Sequence, residues 1–409
     1  MLARSLQSTI LKAAKTFPCI VVTGPRQSGK TTLLKELFKS SHAYINLEIP
    51  DIRLRAEEDP IGFLNQISGP VILDEFQYVP GLLPYIKDKI DANRTPNRYV
   101  LTGSQNFVLM ENVSESLAGR AAILTLLPLS LNEIAGDGFS FGDIQAFLKR
   151  VGDTRLNSES KLLSNIPNII LRGSYPEIVS NKEVDRQIWC GSYINTYLER
   201  DIRNIESIGS LSDFARFIRS CAVRTGQILN ISDIAKDIGV AVNTARRWLS
   251  ILETGYQIYL LYPYYRNIGK RLIKSPKLYF CDTGLASYLM GLNDETALVN
   301  NMHYGNLFET LVITDFLKRY LNSGKLPSMY YLRTQDKLEI DLALEEGTKL
   351  SLFEIKSAST ITSKNIESLG KVGNELVSMI DKTGVISATD NMFLIRDNIW
   401  NIPMNSMLI

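Results

Sequence analysis

Cysteine and histidine are scarce in this chain of 409 residues, which holds four cysteines and two histidines, His42 and His303. The cysteines (Cys19, Cys190, Cys221 and Cys281) are far apart and form no CxxC pair. Zinc chemistry needs clustered His and Cys ligands, so it is excluded as an organising feature. A disulfide framework is equally unsupported, which fits a reducing, cytoplasmic compartment. No apolar run reaches the roughly 18 residues that span a bilayer, so no membrane association is expected. The N-terminus carries Arg4, Lys12 and Lys15 but lacks the apolar stretch and small-residue cleavage site of a secretory signal. It is expected to form an amphipathic helix ahead of the first strand. Charge of one sign is also missing: 45 basic and 43 acidic residues leave a net charge of +2. Such a balance neither demands nor forbids a polyanionic partner, because a local basic patch can hide in it.

The composition that remains, 45% hydrophobic and 22% charged, is ordinary for a globular protein. A single core stops growing near roughly 250–300 residues, so two or three domains are expected. Cys19-Ile20-Val21-Val22-Thr23 reads as a buried parallel strand, followed by glycines and a helix over Thr31 to Phe38. Val71-Ile72-Leu73 and Tyr99-Val100-Leu101 read as further buried strands, and Ile123 to Leu127 as another, with helical stretches between. This is a βαβ series around a parallel sheet. The expected boundaries are 1–140 for this domain, 141–211 for a helical connector, 212–295 for a unit with a helix–turn–helix pattern and 296–409 for a third unit.

Gly24-Pro25-Arg26-Gln27-Ser28-Gly29-Lys30-Thr31 fits G-x-x-x-x-G-K-[ST], followed by Thr32. The glycines let the backbone curl so that its N–H groups meet phosphate oxygens, and the helix that follows adds the positive end of its dipole. Lys30 is then placed to neutralise the β- and γ-phosphates, and the Thr31 hydroxyl to ligate Mg²⁺. Leu73-Asp74-Glu75 ends the next strand with two acids, which are costly there unless a metal or ligand uses them. Asp74 is the expected Mg²⁺ holder and Glu75 the group that activates the attacking water. Beyond the following strand, Ser104 or Asn106 is a candidate contact to the γ-phosphate or the water, with a simple turn as the alternative. Arg120 is a candidate transition-state arginine, in cis or from a neighbouring subunit, or else an ordinary surface arginine. Asn181-Lys182 begins like a guanine-reading N-K-x-D, but Val184 stands at the Asp position, which favours ATP.

Ile231 to Ile238 and Asn243 to Leu252 read as two amphipathic helices around Gly239-Val240-Ala241, the length and spacing of a helix–turn–helix. Asn243 is expected to cap the second helix. Arg246 and Arg247 lie one turn inside it, where a recognition helix meets a groove. Arg266, Lys270, Arg271, Lys274 and Lys277, interleaved with Tyr262, Tyr264 and Tyr265, read as a basic wing. Duplex DNA is the expected partner, with a wing used for protein contacts as the alternative. In the last unit Glu309 falls in a helix over Gly305 to Lys318, Asp341 in an alternating strand, and Glu354 and Lys356 two apart at the end of a strand over Ser351 to Ile355. Side chains two apart share a face, so Glu354 and Lys356 project together and Asp341 can come alongside. Asp341 and Glu354 are expected to share a divalent metal, with Lys356 positioning a water and Glu309 completing the shell. A salt-bridged strand end is the alternative.

The N-terminal motifs resemble those of the AAA-type ATPases that carry GPRQxGKTTLL, an LDE strand, LTGS, LAGR and PLS…E. Here these are Gly24 to Leu34, Leu73 to Glu75, Leu101 to Ser104, Leu117 to Arg120, and Pro128 to Ser130 with Glu133. The C-terminal half resembles the domain of unknown function that follows them, through Gly173-Ser174-Tyr175-Pro176-Glu177, Tyr197-Leu198-Glu199-Arg200-Asp201, Thr225-Gly226-Gln227, Asp282-Thr283-Gly284-Leu285 and Phe353-Glu354-Ile355-Lys356. Ser174 departs from an expected glycine. The resemblance covers nearly the whole chain and implies an α/β protein. Its parts are an AAA-type parallel sheet with helices, a winged-helix domain and an α/β restriction-endonuclease-like domain. The expected activity is Mg²⁺-dependent ATP hydrolysis coupled to DNA binding or processing, in a chain that can form homo-oligomers. The alternative is a nucleotide-dependent switch that binds a protein partner, with the nuclease-like domain silent. A pure binding switch has no need of Glu75.

Overall fold

The structure, a computed structural model, describes residues 2–103, 116–136, 143–153, 165–203, 209–265, 275–334, 338–362, 366–375 and 378–408. Strands β1 (Cys19–Thr23), β2 (Ala43–Asn46), β3 (Val71–Asp74), β4 (Tyr99–Thr102) and β5 (Ala121–Thr125) form a parallel sheet in the order β2-β3-β4-β1-β5. β1 is buried at every position. Its side chains alternate between faces, as a two-residue period requires. Cys19 and Val21 enter a cluster with Leu73, Leu101 and Ile86, while Ile20 and Val22 enter another with Leu33, Leu34 and Val100. Each fully buried aliphatic side chain is worth roughly 1.5–3 kcal/mol, which explains a β-branched, uncharged strand. Helix α1 (Leu6–Ala13) closes the second face with Leu6 and Ile10, as its amphipathic pattern predicts. β2 has no buried residue and no apolar run, so sequence pattern missed it; parallel pairing to β3 creates it.

The middle of the chain contains helix α2 (Leu211–Val223), β6 (Gln227–Ile228), α3 (Ile231–Ile238), α4 (Val242–Thr254), β7 (Ile258–Leu261) and β8 (Lys277–Phe280). The three strands pair antiparallel in the order β6-β8-β7. The last unit has the long helix α5 (Tyr304–Asn322) and strands β9 (Met329–Arg333), β10 (Glu339–Glu346), β11 (Lys349–Lys356), β12 (Ile380–Ser387), β13 (Phe393–Arg396) and β14 (Ile399–Pro403). These form one mixed sheet ordered β13-β14-β12-β11-β10-β9, in which β11, β12 and β14 run parallel. The sequence pattern missed β9, and the edge strand β13 has no buried residue.

The units share apolar and polar contacts. One buried cluster runs from Leu127 through the middle helices to Leu408. Lys318 of α5, fully buried, donates to the Leu129 carbonyl and to Ser174 Oγ, each at 2.9 Å. Ser174 in turn donates from its N–H and its hydroxyl to Asp282 Oδ2, both at 2.7 Å. The departure from glycine is therefore used: Gly173 makes the positive-φ turn (+73°), and the Ser174 hydroxyl joins the network.

Candidate functional site

β1 delivers Thr23 to a loop shaped by two glycines. Gly24 has φ +145°, and a β-carbon there would overlap the Leu126 carbonyl oxygen; Gly29 has φ +92° and opens the helix Lys30–Phe38. Only glycine adopts both conformations without strain. The loop thus ends at a helix N-terminus, the natural seat of a phosphate. Arg4 braces it from behind, donating to the Ser28 carbonyl at 2.6 Å while pairing with Glu133 at 3.2 Å.

The Lys30 side chain is buried, and its ammonium donates to the carbonyls of Gly24 (3.0 Å) and Pro25 (2.8 Å), so it lies in the mouth of the loop. Thr31 Oγ1 donates to Asp74 Oδ2 at 2.9 Å, and Tyr44 donates to the same oxygen at 2.6 Å. Two hard oxygen donors from different elements therefore meet beside the loop, which is the chemistry Mg²⁺ selects. Ser28 Oγ in the loop and Thr102 Oγ1 at the end of β4 are buried without a partner. Buried polar groups are nearly always hydrogen-bonded, so orphans at the phosphate end fit a site built for a polar ligand. Glu75 stands past the strand in a left-handed conformation (φ +54°), and its carboxylate accepts from the Gln77 side-chain amide. Gly24 through Thr32, Asp74 and Glu75 fall where the sequence motifs place them.

Glu75, Lys30 and Thr31 line a cavity of about 350 Å³ together with Tyr193, Thr196 and Arg200. Arg200 lies in a π-helical segment, Tyr197–Ile202, an irregularity frequent at functional sites, and its guanidinium is 3.3 Å from Glu48. Arg200 belongs to the Tyr197–Asp201 motif of the sequence, which by itself assigns it no role. Thr102 was also missed, although a polar residue ending a buried strand beside the loop was the available signal. Ser104 and Asn106 lie outside the described residues. The cis reading of Arg120, and that reading alone, is corrected: it precedes β5, so it sits at the strand starts, a strand length of about 16 Å from the loop of its own chain. There its carbonyl accepts from Cys19 N–H at 3.3 Å and its guanidinium clasps Asp91 at 2.6 and 2.8 Å. It does not reach the cavity of its own chain, because parallel strands put their two ends on opposite edges.

The profile of the AAA domain matches residues 16–135, and two domains of unknown function, DUF8612 and DUF4143, match 163–296 and 304–407. The chain is 30% identical over 407 residues to the uncharacterized proteins Rv2008c of Mycobacterium tuberculosis and Mb2031c of Mycobacterium bovis, covering 99% of this chain and 84% of each of them. The chain belongs to the family of these proteins, and its N-terminal domain is an AAA-type P-loop domain. The uncharacterized protein MJ1544 of Methanocaldococcus jannaschii is 23% identical, over 79% of this chain and 71% of its own. The Walker-type ATPase PABY2304 of Pyrococcus abyssi aligns over 71% of this chain and 96% of its own, with 14% identity and a TM-score of 0.46. Among the described residues no helix is long and apolar enough to cross a membrane.

Beyond the AAA-type domain, Arg246 and Arg247 are exposed on α4, opposite the buried Ala245, Trp248 and Leu252. Asn243 does not cap α4: the cap position is Ala241, whose side chain cannot accept a hydrogen bond, and Asn243 sits exposed in the first turn. Arg266, Lys270, Arg271 and Lys274 lie outside the described residues. Tyr262 and Tyr264 are half-buried. The Tyr264 N–H donates to the Tyr331 carbonyl at 2.6 Å, its ring packs edge-on against Tyr330, and the Tyr262 carbonyl accepts from Tyr331. Lys277 is a correction as well, since its side chain is 3% exposed and buried among acids.

Those acids include two of the candidates from the last unit, Glu309 and Asp341, together with Glu339. Lys277 Nζ lies 3.0 Å from Glu309 Oε1, 2.7 Å from Glu339 Oε1 and 3.4 Å from Asp341 Oδ1. Lys356 Nζ lies 2.9 Å from Asp341 Oδ2 and 2.7 Å from Glu354 Oε2, so Glu309, Asp341, Glu354 and Lys356 do converge. A register shift in β10 between Ile340 and Ala343 re-aims Asp341, whose Oδ2 also accepts the Ile355 N–H at 2.9 Å. Burial, then the charge of Asp341, raises the Glu309 and Glu354 carboxyls above the usual range. Burial also works against ionised Asp341, but the Lys277 and Lys356 ammonium groups outweigh it and hold its pKa low. Glu339 was missed as a site residue, though it is two positions from Asp341 on one strand.

Proposed function

We propose that this protein hydrolyses ATP with Mg²⁺ in the cavity of its AAA-type domain and that nucleotide state sets the affinity of the middle unit for DNA. The first half rests on one observation: Lys30, Thr31 and Glu75 line one cavity, and Thr31 is hydrogen-bonded to Asp74 at the end of β3. Lys30 would leave the loop carbonyls to neutralise the terminal phosphates. Thr31 and Asp74 would hold Mg²⁺, which supplies charge neutralisation at the phosphate oxygens. Glu75 would take the proton of the attacking water. Arg200, facing the loop from the same chain, takes the part that Arg120 cannot take in cis. Arg200→Ala is expected to lower kcat roughly ten- to a hundredfold with a smaller change in ATP affinity, as loss of a charge-assisted contact to a developing charge predicts. Single-turnover hydrolysis measures this, and unchanged turnover removes Arg200 from the reaction.

The coupling rests on the contacts of the middle unit. The Tyr256 hydroxyl lies 3.1 Å from the hydroxyls of both Thr23 and Thr125, and Thr23 immediately precedes the phosphate loop. Gln257 donates to the Tyr193 hydroxyl, and Tyr193 lines the cavity. The order α2-β6-α3-α4-β7-β8 with an antiparallel β6-β8-β7 sheet supports a winged-helix reading, with Arg246 and Arg247 as its phosphate contacts. Arg246→Glu with Arg247→Glu is expected to weaken duplex binding and to flatten the slope of log K against log salt by about two, near 0.9 per lost phosphate contact. Fluorescence anisotropy across a salt series reads both, and an unchanged slope would move any DNA contact elsewhere. Steady-state ATP hydrolysis with and without duplex and single-stranded DNA tests the whole reading, with stimulation by DNA as the expected result. Turnover indifferent to DNA favours the second reading, a switch for a protein partner with a silent nuclease-like domain. The specific observation behind that reading is the buried Lys277 among the acids of the last sheet. Four buried cysteines, all free, fit the reducing cytoplasm.

A further inference from the structure

We infer that Lys277 is the resident cation of the Glu309–Glu339–Asp341 cluster and that it closes this cluster to divalent metal ions, so that removing its ammonium group creates a metal site. The inference explains why the domain would be silent in the second reading above, and it is independent of ATP chemistry. Oxygens from α5 and β10 converge on one point, as they do around a metal, but the point is filled by an ammonium nitrogen at 2.7 to 3.4 Å. A bare divalent ion would need these oxygens at roughly 2.0–2.6 Å. The oxygens are also committed. Glu309 Oε1 accepts from the Tyr279 hydroxyl at 2.6 Å as well as from Lys277, and Asp341 Oδ2 accepts from Lys356 and from the Ile355 N–H. Among the described residues, no group of three His, Cys, Asp or Glu side chains is arranged to hold a metal ion. The expected sharing of a divalent ion by Asp341 and Glu354 therefore does not match the donors as they stand.

Lys277 comes from a different unit than the acids it serves. It is the first residue of β8, and its backbone is held by pairing to Leu261 of β7 and Ile228 of β6. Its stem is buried, so its ammonium has no aqueous alternative nearby. Expelling a buried ammonium from three carboxylates is costly, and Mg²⁺ gives up its water shell reluctantly. Among the described residues, Lys356 is then the ion-pair partner left to Asp341, and a divalent cation restores the balance.

The experiment uses nucleotide-free, full-length protein carrying Asp74→Asn, which removes the Thr31–Asp74 metal pair. Bound Mn²⁺ is counted by electron paramagnetic resonance, and its place is mapped by Fe²⁺-directed backbone cleavage read by mass spectrometry. The expected result is no Mn²⁺ binding and no cleavage near residues 309, 341 and 354 with Lys277 present. Lys277→Met is expected to gain a Mn²⁺ site, cleavage at those positions and a thermal midpoint that rises with Mn²⁺. Adding Asp341→Asn is expected to abolish all of these gains. Lys277→Gln, which keeps hydrogen-bonding capacity, takes the place of Lys277→Met if circular dichroism shows the latter unfolded. A metal centre at 309, 341 and 354 in the protein that retains Lys277 overturns the inference. So does a folded Lys277 variant that binds no metal there. Because the readout is metal occupancy and not ATP turnover or DNA cleavage, failure of this inference is distinguishable from failure of either functional reading.

Discussion

Replacing Glu75 with glutamine is expected to lower steady-state ATP turnover by roughly 10²–10⁴ while leaving ATP bound, the usual yield of a positioned general base. Among the described residues, Glu75 is the only carboxylate lining the cavity at the phosphate loop, and its backbone is left-handed. Asp74 is not a substitute, because its carboxylate is already engaged by Thr31, Tyr44 and the Glu75 N–H. Glutamine keeps the size and can still hydrogen-bond Gln77, so the fold has no reason to change. It cannot accept the proton of the attacking water. Filter-retained radiolabelled ATP and phosphate release, measured on one preparation, check the two halves of the prediction. Undiminished phosphate release would assign the base to another group.

Lys30→Ala is expected to weaken ATP binding about a hundredfold or more, the equivalent of losing two charge-assisted hydrogen bonds at roughly 1.5–3 kcal/mol each. The structure says why the loss should be local. The ammonium donates to the loop carbonyls of Gly24 and Pro25, and the loop itself is shaped by Gly24 and Gly29 and braced by Arg4. Alanine at the first position of a helix is well tolerated. Isothermal titration with ATP and Mg²⁺, paired with a thermal melt, checks both points. Full-strength binding by a folded variant would sink the assignment of the loop to phosphates.

The two predictions draw on the part of the molecule that was readable from residue order alone. The phosphate loop, the acidic end of β3 and the alternation of β1 are local: a few adjacent residues carry the glycine conformations, the charge and the period. The helix–turn–helix pair was legible for the same reason, because a 3.6-residue period survives any tertiary context. Strand β2 was not legible, since none of its four residues is buried and only pairing with β3 makes it a strand. Its Tyr44 nonetheless donates to Asp74. Asn243 shows the converse, a good cap residue made irrelevant when the helix begins one residue earlier.

Sequence by itself determined that this protein has a P-loop motif and an acidic strand end whose Asp74 and Glu75 are the candidate metal holder and base, and that three acids and a lysine recur late in the chain. Tertiary structure alone decided which distant residues join them. It put Arg120 at the end of the parallel sheet away from its own chain's phosphate loop and Arg200, 80 positions later, in the lining of the cavity that holds Lys30. It also turned Lys277 from a basic wing residue into the buried counter-ion of Glu309, Glu339 and Asp341. The physical reason is the same in each case. A local motif specifies its own geometry through backbone torsions and periodicity. Where two remote charges meet depends on how whole sheets pack, which is fixed by burial spread over many residues and leaves no short signature.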